Sequence, residues 1–322
     1  MVARRPLVRP PETIIRAIAA RRHPANDVQF AVSDRPIPKL PGVEHSFLDA
    51  GGLRVHVAQA GAGEPLVMLH GWPQNWFAYR LVIPALSEHY RVICPDLRGF
   101  GWTEATRDGY RKRQLVADLF ALLDALELDR VGLVGHDWGS IIGFMACVER
   151  PERFSKYLVL GGWHPWPKVD IRAAVAFTRF WYQAVVATPV LGPRYAVANP
   201  AFLRLLYRVW SGHPDLWSDS ELDALLGQFE DPARQRATSL MYRTWLTREL
   251  GPMIARTFIS GRLDTPTVYL HGTADGCIDP VFARGSARRA PNMTVELLPG
   301  VGHFVPEEAP DVVIAHALEL FA

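Results

Sequence analysis

The chain has 322 residues, 49% of them apolar, with 35 basic against 33 acidic side chains and a net charge of +2. That balance argues against a nucleic-acid partner, which would select a strong basic surplus. No apolar run approaches the roughly 18 residues of a transmembrane segment. Three scattered cysteines, Cys94, Cys147 and Cys277, lack metal-ligand spacing and read as reduced thiols in a cytoplasmic protein.

Residues 1–42 read as an N-terminal arm, basic at both ends of its apolar part and too interrupted for a secretory signal. An amphipathic stretch from about Glu12 to Arg22 suits packing on the domain or contact with an anionic membrane surface. Strand signals begin with HSFLDA and LRVHVAQAG, joined at the hairpin dipeptide Gly51-Gly52. Four short apolar runs follow: PLVMLHG (Pro65–Gly71), YRVICPD (Tyr90–Asp96), RVGLVGHD (Arg130–Asp137) and KYLVLGG (Lys156–Gly162). Rich in Val, Ile and Leu, they predict strands buried on both faces. Between them KRQLVADLFALLDALEL (Lys112–Leu128), apolar at three- and four-residue steps, predicts a helix. The alternation predicts an α/β class: a mostly parallel sheet flanked by helices.

The rhythm stops after Gly162. It resumes at TPTVYLHG (Thr265–Gly272) and MTVELLPG (Met293–Gly300), and PEEAPDVVIAHALELFA closes as a helix. The expected division is a core from 43–163, an inserted all-helical lid (cap) from 164–262, and the rest of the core from 263–322. Open α/β sheets bind ligands at the carboxyl ends of their strands, which such a lid would cover. Six of the ten tryptophans lie between Trp163 and Trp245. With Phe177, Phe180 and Phe202 they suggest an apolar tunnel, although each aromatic singly is as well explained by packing.

Four signals converge on a site. VGHDWGS (Val134–Ser140) has strand–sharp turn–helix context, with Gly135 and Gly139 flanking Asp137 at the apex, the position of a nucleophile. A plain helix N-cap is the other reading of the same residue. His303, in LPGVGHFVPEEAP, stands just beyond the last predicted strand as a general base. Asp275, in YLHGTADGCIDP, is the acid that would orient it, with Asp279 as a rival and His271 as a structural residue at the strand end. The order nucleophile, acid, base follows from their places in the chain. In MLHGWPQNW, the backbone N–H of Trp72 would converge with that of Trp138 to form an oxyanion hole. A carboxylate nucleophile suits attack at saturated carbon. Serine would form an ether there, whereas aspartate forms an ester that water can cleave at its carbonyl.

With these residues in place the chain resembles the α/β-hydrolase superfamily over residues 43–322. Within it, HGWP together with GHDWGS resembles the epoxide hydrolases and, next, the haloalkane dehalogenases. Trp72 matches the aromatic residue of the first family, where the second carries a polar one. After VLGGWHP, where some dehalogenases take their acid, no carboxylate appears before Asp170. The resemblance also implies a pair of lid tyrosines. SLMYRTWL supplies Tyr242, but counting back five residues from Gln183 in FTRFWYQ reaches Thr178. Either Tyr182 substitutes or Tyr242 works alone. Substrate-binding candidates are Trp138, Trp163, Trp181 and Phe304. The implied activity is hydrolysis of a small apolar epoxide by water through the Asp137–His303–Asp275 triad, with no metal and no cofactor. Haloalkane dehalogenation by the same triad is the alternative, and a non-catalytic hydrolase-fold receptor is a second. A homodimer is left open.

Overall fold

A computed structural model describes residues 33–168, 170–286 and 288–322, so the Glu12–Arg22 stretch lies outside the described residues. Eight strands form one sheet: β1 (Glu44–Ala50), β2 (Leu53–Ala60), β3 (Pro65–Leu69), β4 (Arg91–Pro95), β5 (Val131–His136), β6 (Phe154–Leu160), β7 (Thr267–Gly272) and β8 (Met293–Leu298). Their order is β1-β2-β4-β3-β5-β6-β7-β8. Pairing is antiparallel from β1 to β2 and from β2 to β4, and parallel from β4 through β8. The β1–β2 hairpin turns at Gly51 and Gly52, both at positive φ (64° and 85°), a conformation open to glycine at little cost.

The central strand β5, VGLVGH, is buried at every position. Alternation along β3 divides the core: Val67 and Leu69 join one apolar cluster, Leu66 and Met68 the other. Strand β8, at the sheet edge, is exposed from Thr294 to Leu297. Among the described residues only a 3₁₀ turn, Pro280–Ala283, separates β7 from β8 in the chain.

The helices in chain order are α1 (Ile83–Leu86), α2 (Lys112–Ala125), α3 (Trp138–Glu149), α4 (Ile171–Ala176), α5 (Trp181–Ala187), α6 (Pro200–Trp210), α7 (Asp219–Leu226), α8 (Pro232–Thr244), α9 (Leu250–Ile254), α10 (Val305–Glu308) and α11 (Pro310–Phe321). Helices α2 and α3 pack on one face of the sheet and α1 and α11 on the other. The helices α4 to α9 sit between β6 and β7 in the chain, a wholly helical insertion. Their starts follow local rules. Asn199 and Asp231 accept N–H bonds from the first turns of α6 and α8, each with Pro at N1, and Ser218 with Glu221 forms a capping box on α7. A π-helical stretch, Trp245–Glu249, joins α8 to α9.

Buried polar contacts fasten this insertion to the core. Arg80 pairs with Glu307 of α10 and, at 2.8 Å, with Glu221 of α7. Trp217 donates its indole N–H to Glu307 at 2.8 Å. Gln228 accepts from Gly101 N at 2.6 Å and donates to the carbonyls of Pro73 and Gln74 at 3.1 Å. The loop after β3 is thereby held from above.

Candidate active site

Strand β5 ends at His136 and α3 begins at Trp138, leaving Asp137 alone on the corner with φ 50° and ψ −113°. A non-glycine residue there stores on the order of 1–3 kcal/mol of backbone strain. The close approach explains the glycines: a Cβ on Gly139 would overlap the Leu69 carbonyl, and one on Gly71 would overlap the Asp137 side chain. Ser140 Oγ donates to the Asp137 carbonyl at 2.6 Å and holds the turn. The capping alternative is not what the side chain does, because the Asp137 carboxylate makes no bond to the helix that follows it. Its Oδ1 instead accepts the backbone N–H of Trp72 at 2.8 Å.

His303 lies on the loop between β8 and α10. Its Nδ1 is 3.0 Å from Asp275 Oδ2, and its Nε2 is 3.6 Å from Asp137 Oδ2, beyond hydrogen-bond length. Asp275 uses its other oxygen, Oδ1, to accept the N–H groups of Cys277 and Ile278, both at 2.7 Å. Burial alone would lower the His303 pKa, but the charges of Asp275 and Asp137 outweigh it and lift it to about 10. Asp275 and Asp137 thus flank the imidazole on its two nitrogens. Asp279, the rival acid, pairs with Arg179 at 2.9 Å and caps the following 3₁₀ turn. His271 is buried, with Nε2 2.9 Å from the Ile278 carbonyl, which fixes the Asp275 loop.

Two histidines not expected at the site support it. His136 Nε2 donates to the His303 carbonyl at 2.9 Å, and burial, then repulsion from His303, lowers its pKa to about 4, so it stays neutral. His70 accepts the Leu97 N–H on Nε2 at 3.0 Å, leaving Nδ1–H for the Gly71 carbonyl at 2.9 Å. That pair of bonds shapes the loop presenting the Trp72 amide.

Above Asp137 the lid supplies aromatics. Trp72 stacks on Tyr182 (6.0 Å between centroids) and meets Tyr242 edge-on (5.2 Å), and the two tyrosine rings are 5.8 Å apart. Both tyrosines are buried. Burial, and then Asp137's charge, push the Tyr242 hydroxyl well above its ordinary value. Tyr182 Oη lies 3.4 Å from Cys277 Sγ. Thr178, the position expected from the family count, is exposed and bonds its own helix at the Val175 carbonyl.

A narrow cavity of about 20 Å³ opens on Asp137, lined by Trp138, Ile141, Trp163, Phe180, Tyr182, Gln183, Trp245, Cys277 and Ile278. Two expected substrate contacts are corrected. Trp181 is 57% exposed, facing away, and its neighbour Phe180 takes the inner position. The 3₁₀ turn at Phe177–Phe180 sets that register ahead of α5. Phe304 is stacked on Tyr207 (4.0 Å) beside His303, where it backs the imidazole and does not line the cavity. The expected tunnel of lid tryptophans is likewise reduced to Trp163 and Trp245, for Trp217 bonds Glu307 and Trp210 packs on His303. Among the described residues no group of three or more His, Cys, Asp or Glu is placed to hold a metal ion.

Residues 64–310 match the family model of the alpha/beta hydrolase fold. The chain is 31% identical to the soluble epoxide hydrolase of Corynebacterium sp. (strain C12) over 288 residues, covering 87% of this chain and 98% of that protein. It is also 31% identical to haloalkane dehalogenase 2 of Mycobacterium tuberculosis (strain ATCC 25618 / H37Rv) over 297 residues, covering 91% and 100%. Among solved structures, ligand-free epoxide hydrolase CorEH superposes with a TM-score of 0.76 at 28% identity, covering 87% of this chain and 98% of that one. No helix among the described residues is long and apolar enough to cross a membrane. The chain belongs to the α/β-hydrolase fold family, a hydrolase similar over most of its length to epoxide hydrolases and to haloalkane dehalogenases.

Proposed function

We propose that the protein hydrolyses an apolar epoxide to a vicinal diol through an ester on Asp137, with residues 164–262 serving as the lid over the reaction. The observation that carries this reading is the surroundings of one carboxylate. Asp137 has the Trp72 amide on Oδ1, the His303–Asp275 pair facing Oδ2, and two buried lid tyrosines close by. With Oδ1 held by an amide, Oδ2 is the attacking oxygen. Its bond to the epoxide carbon forms as the ring C–O bond breaks, and Tyr242, with Tyr182 beside it, protonates the departing oxygen.

The ester cancels the Asp137 charge. His303 then loses one of the two carboxylates that raised its pKa, gives up its proton, and takes one from a water attacking the Asp137 carbonyl. The amides of Trp72 and Trp138 hold the oxyanion, each such donor contributing about 2.7–4 kcal/mol. Asp275 keeps the imidazole oriented. The proton His303 gave up restores the tyrosine hydroxyl, one water proton restores the imidazolium, and the other leaves on the diol oxygen as the ester C–O bond breaks, so epoxide and water give the diol and regenerated enzyme. The Phe180, Trp163 and Trp245 walls suit a hydrophobic substrate.

Dehalogenation is the second reading, favoured by one observation: the indole N–H groups of Trp138, Trp163 and Trp245, all on the cavity, have no hydrogen-bond partner. A leaving halide needs such donors and no proton. A paired screen of aryl and aliphatic epoxides against chloro- and bromoalkanes, scoring diol and halide, separates the two. Diol release is expected, and halide without diol would reverse the assignment.

A further inference from the structure

Directly behind the site lies a lysine with no exposure to solvent. Lys112, the first residue of α2, is 0% exposed, and its Nζ sits 3.9 Å from the centre of the Trp138 ring and 5.4 Å from that of Trp245. Its partner is Glu249, at the end of the π-helical stretch of the lid. Glu249 accepts the Lys112 backbone N–H on Oε1 at 2.8 Å and has Oε2 3.3 Å from Nζ. A lone ammonium in such a place is costly, and here it is offset by one carboxylate and two aromatic faces. Surface patterning explains nothing about it. The same residue on an exposed helix face would lose none of its hydration.

Trp138 is the residue after Asp137, and its ring is wedged edge-on between Tyr242 (5.4 Å) and Trp245 (5.2 Å). Its indole N–H is buried without a hydrogen bond of good geometry. It lies beside the Tyr242 hydroxyl, where it partly offsets the upward push of burial and of Asp137. A cation on the face of an indole draws electron density from the ring and makes its N–H a stronger donor.

Resting on the epoxide reading above, we infer that Lys112 is a positioning residue for ring opening: Glu249 of the lid holds its ammonium on the Trp138 ring, and the polarised indole N–H stabilises the Tyr242 oxygen as that tyrosine protonates the leaving alkoxide. No new bond is made. The proton travels from Tyr242 to the epoxide oxygen, and Lys112 acts on it only through Trp138. The charged groups facing Lys112 are Glu249 and, across Trp138, Asp137; burial lowers its pKa to about 8 while both carboxylates pull it up.

The test compares wild type, Lys112→Arg, and the double variant Lys112→Met/Glu249→Gln, which removes both charges and keeps the shape. Single-turnover mixing with an aryl epoxide separates formation of the Asp137 ester from its hydrolysis. Ester formation is expected to slow about tenfold in the double variant with hydrolysis unchanged, and Lys112→Arg should recover most of the rate. Tryptophan fluorescence against pH supplies a readout independent of turnover: a midpoint near 8 in wild type, absent from the double variant. Between pH 7 and 9 the wild-type rate of ester formation should fall across that midpoint, a test that needs no substitution. Equal rates of ester formation in all three proteins, or a parallel loss of both steps, overturn the inference. A wild type that shows the midpoint yet never acquires an Asp137 adduct overturns the epoxide reading instead, and the inference falls with it.

Discussion

Replacing Asp137 by asparagine imitates the charge state of the alkyl-enzyme without any substrate. The His303 imidazolium stands 3.6 Å from Asp137 Oδ2. At an effective dielectric constant of about 20, a unit charge at that distance stabilises it by about 4–5 kcal/mol. With about 1.36 kcal/mol per tenfold change in proton affinity, that is a factor above 10³. His303 should therefore move from about 10 to the neutral range in Asp137→Asn, which is what a base for the second step requires. Histidine-selective ¹⁵N NMR across pH 5–10 reads this directly. The same proton also links to stability. Because the folded pKa is raised from 6.5, its contribution is full below about pH 6.5 and fades as pH climbs toward 10 in the wild type. In the asparagine variant the fading should be complete near neutrality. If His303 of Asp137→Asn stays protonated at pH 8.5, Asp275 alone holds the proton and the charge-release account of ester hydrolysis is wrong.

Tyr242→Phe is expected to slow ring opening about a hundredfold, Tyr182→Phe to slow it less, and the double variant to slow it beyond either, as followed by stopped-flow ester formation. A double variant no slower than Tyr242→Phe would remove Tyr182 from the chemistry. Arg80→Met strands the buried Glu307 carboxylate and should cost about 3–5 kcal/mol in urea unfolding. Burial already raises the Glu307 pKa against the pull of Arg80, and a raised carboxylate regains stability as it takes up a proton. The deficit should therefore shrink as pH falls, and a deficit constant with pH would argue against a stranded charge.

The core strands and the three polar loops were readable because each rests on a local rule. Buried strands are continuous runs of Val, Ile and Leu, and Asp137, Asp275 and His303 each follow a strand-like run beside glycine. Trp181 misled because its direction depends on a 3₁₀ turn at Phe177–Phe180 that no periodicity announces. Phe304 misled for a related reason: its backbone (φ −87°, ψ 57°) lies outside helix and strand, so neighbouring residues do not tell where the ring points. Lys112 was invisible. It opens an amphipathic helix where a lysine ordinarily faces water, and its partner Glu249 is 137 residues away. Strand β8 has the apolar composition of an interior strand but lies at the sheet edge, a fact of topology and not of composition.

Mass spectrometry of His303→Gln mixed with a slowly turned-over aryl epoxide tests the central claim most directly. Without its base the protein should gain the full mass of one epoxide, and peptide mapping should place it on Asp137. Diol formed with no adduct at that residue would mean that water attacks the ring directly and that the carboxylate is not the nucleophile.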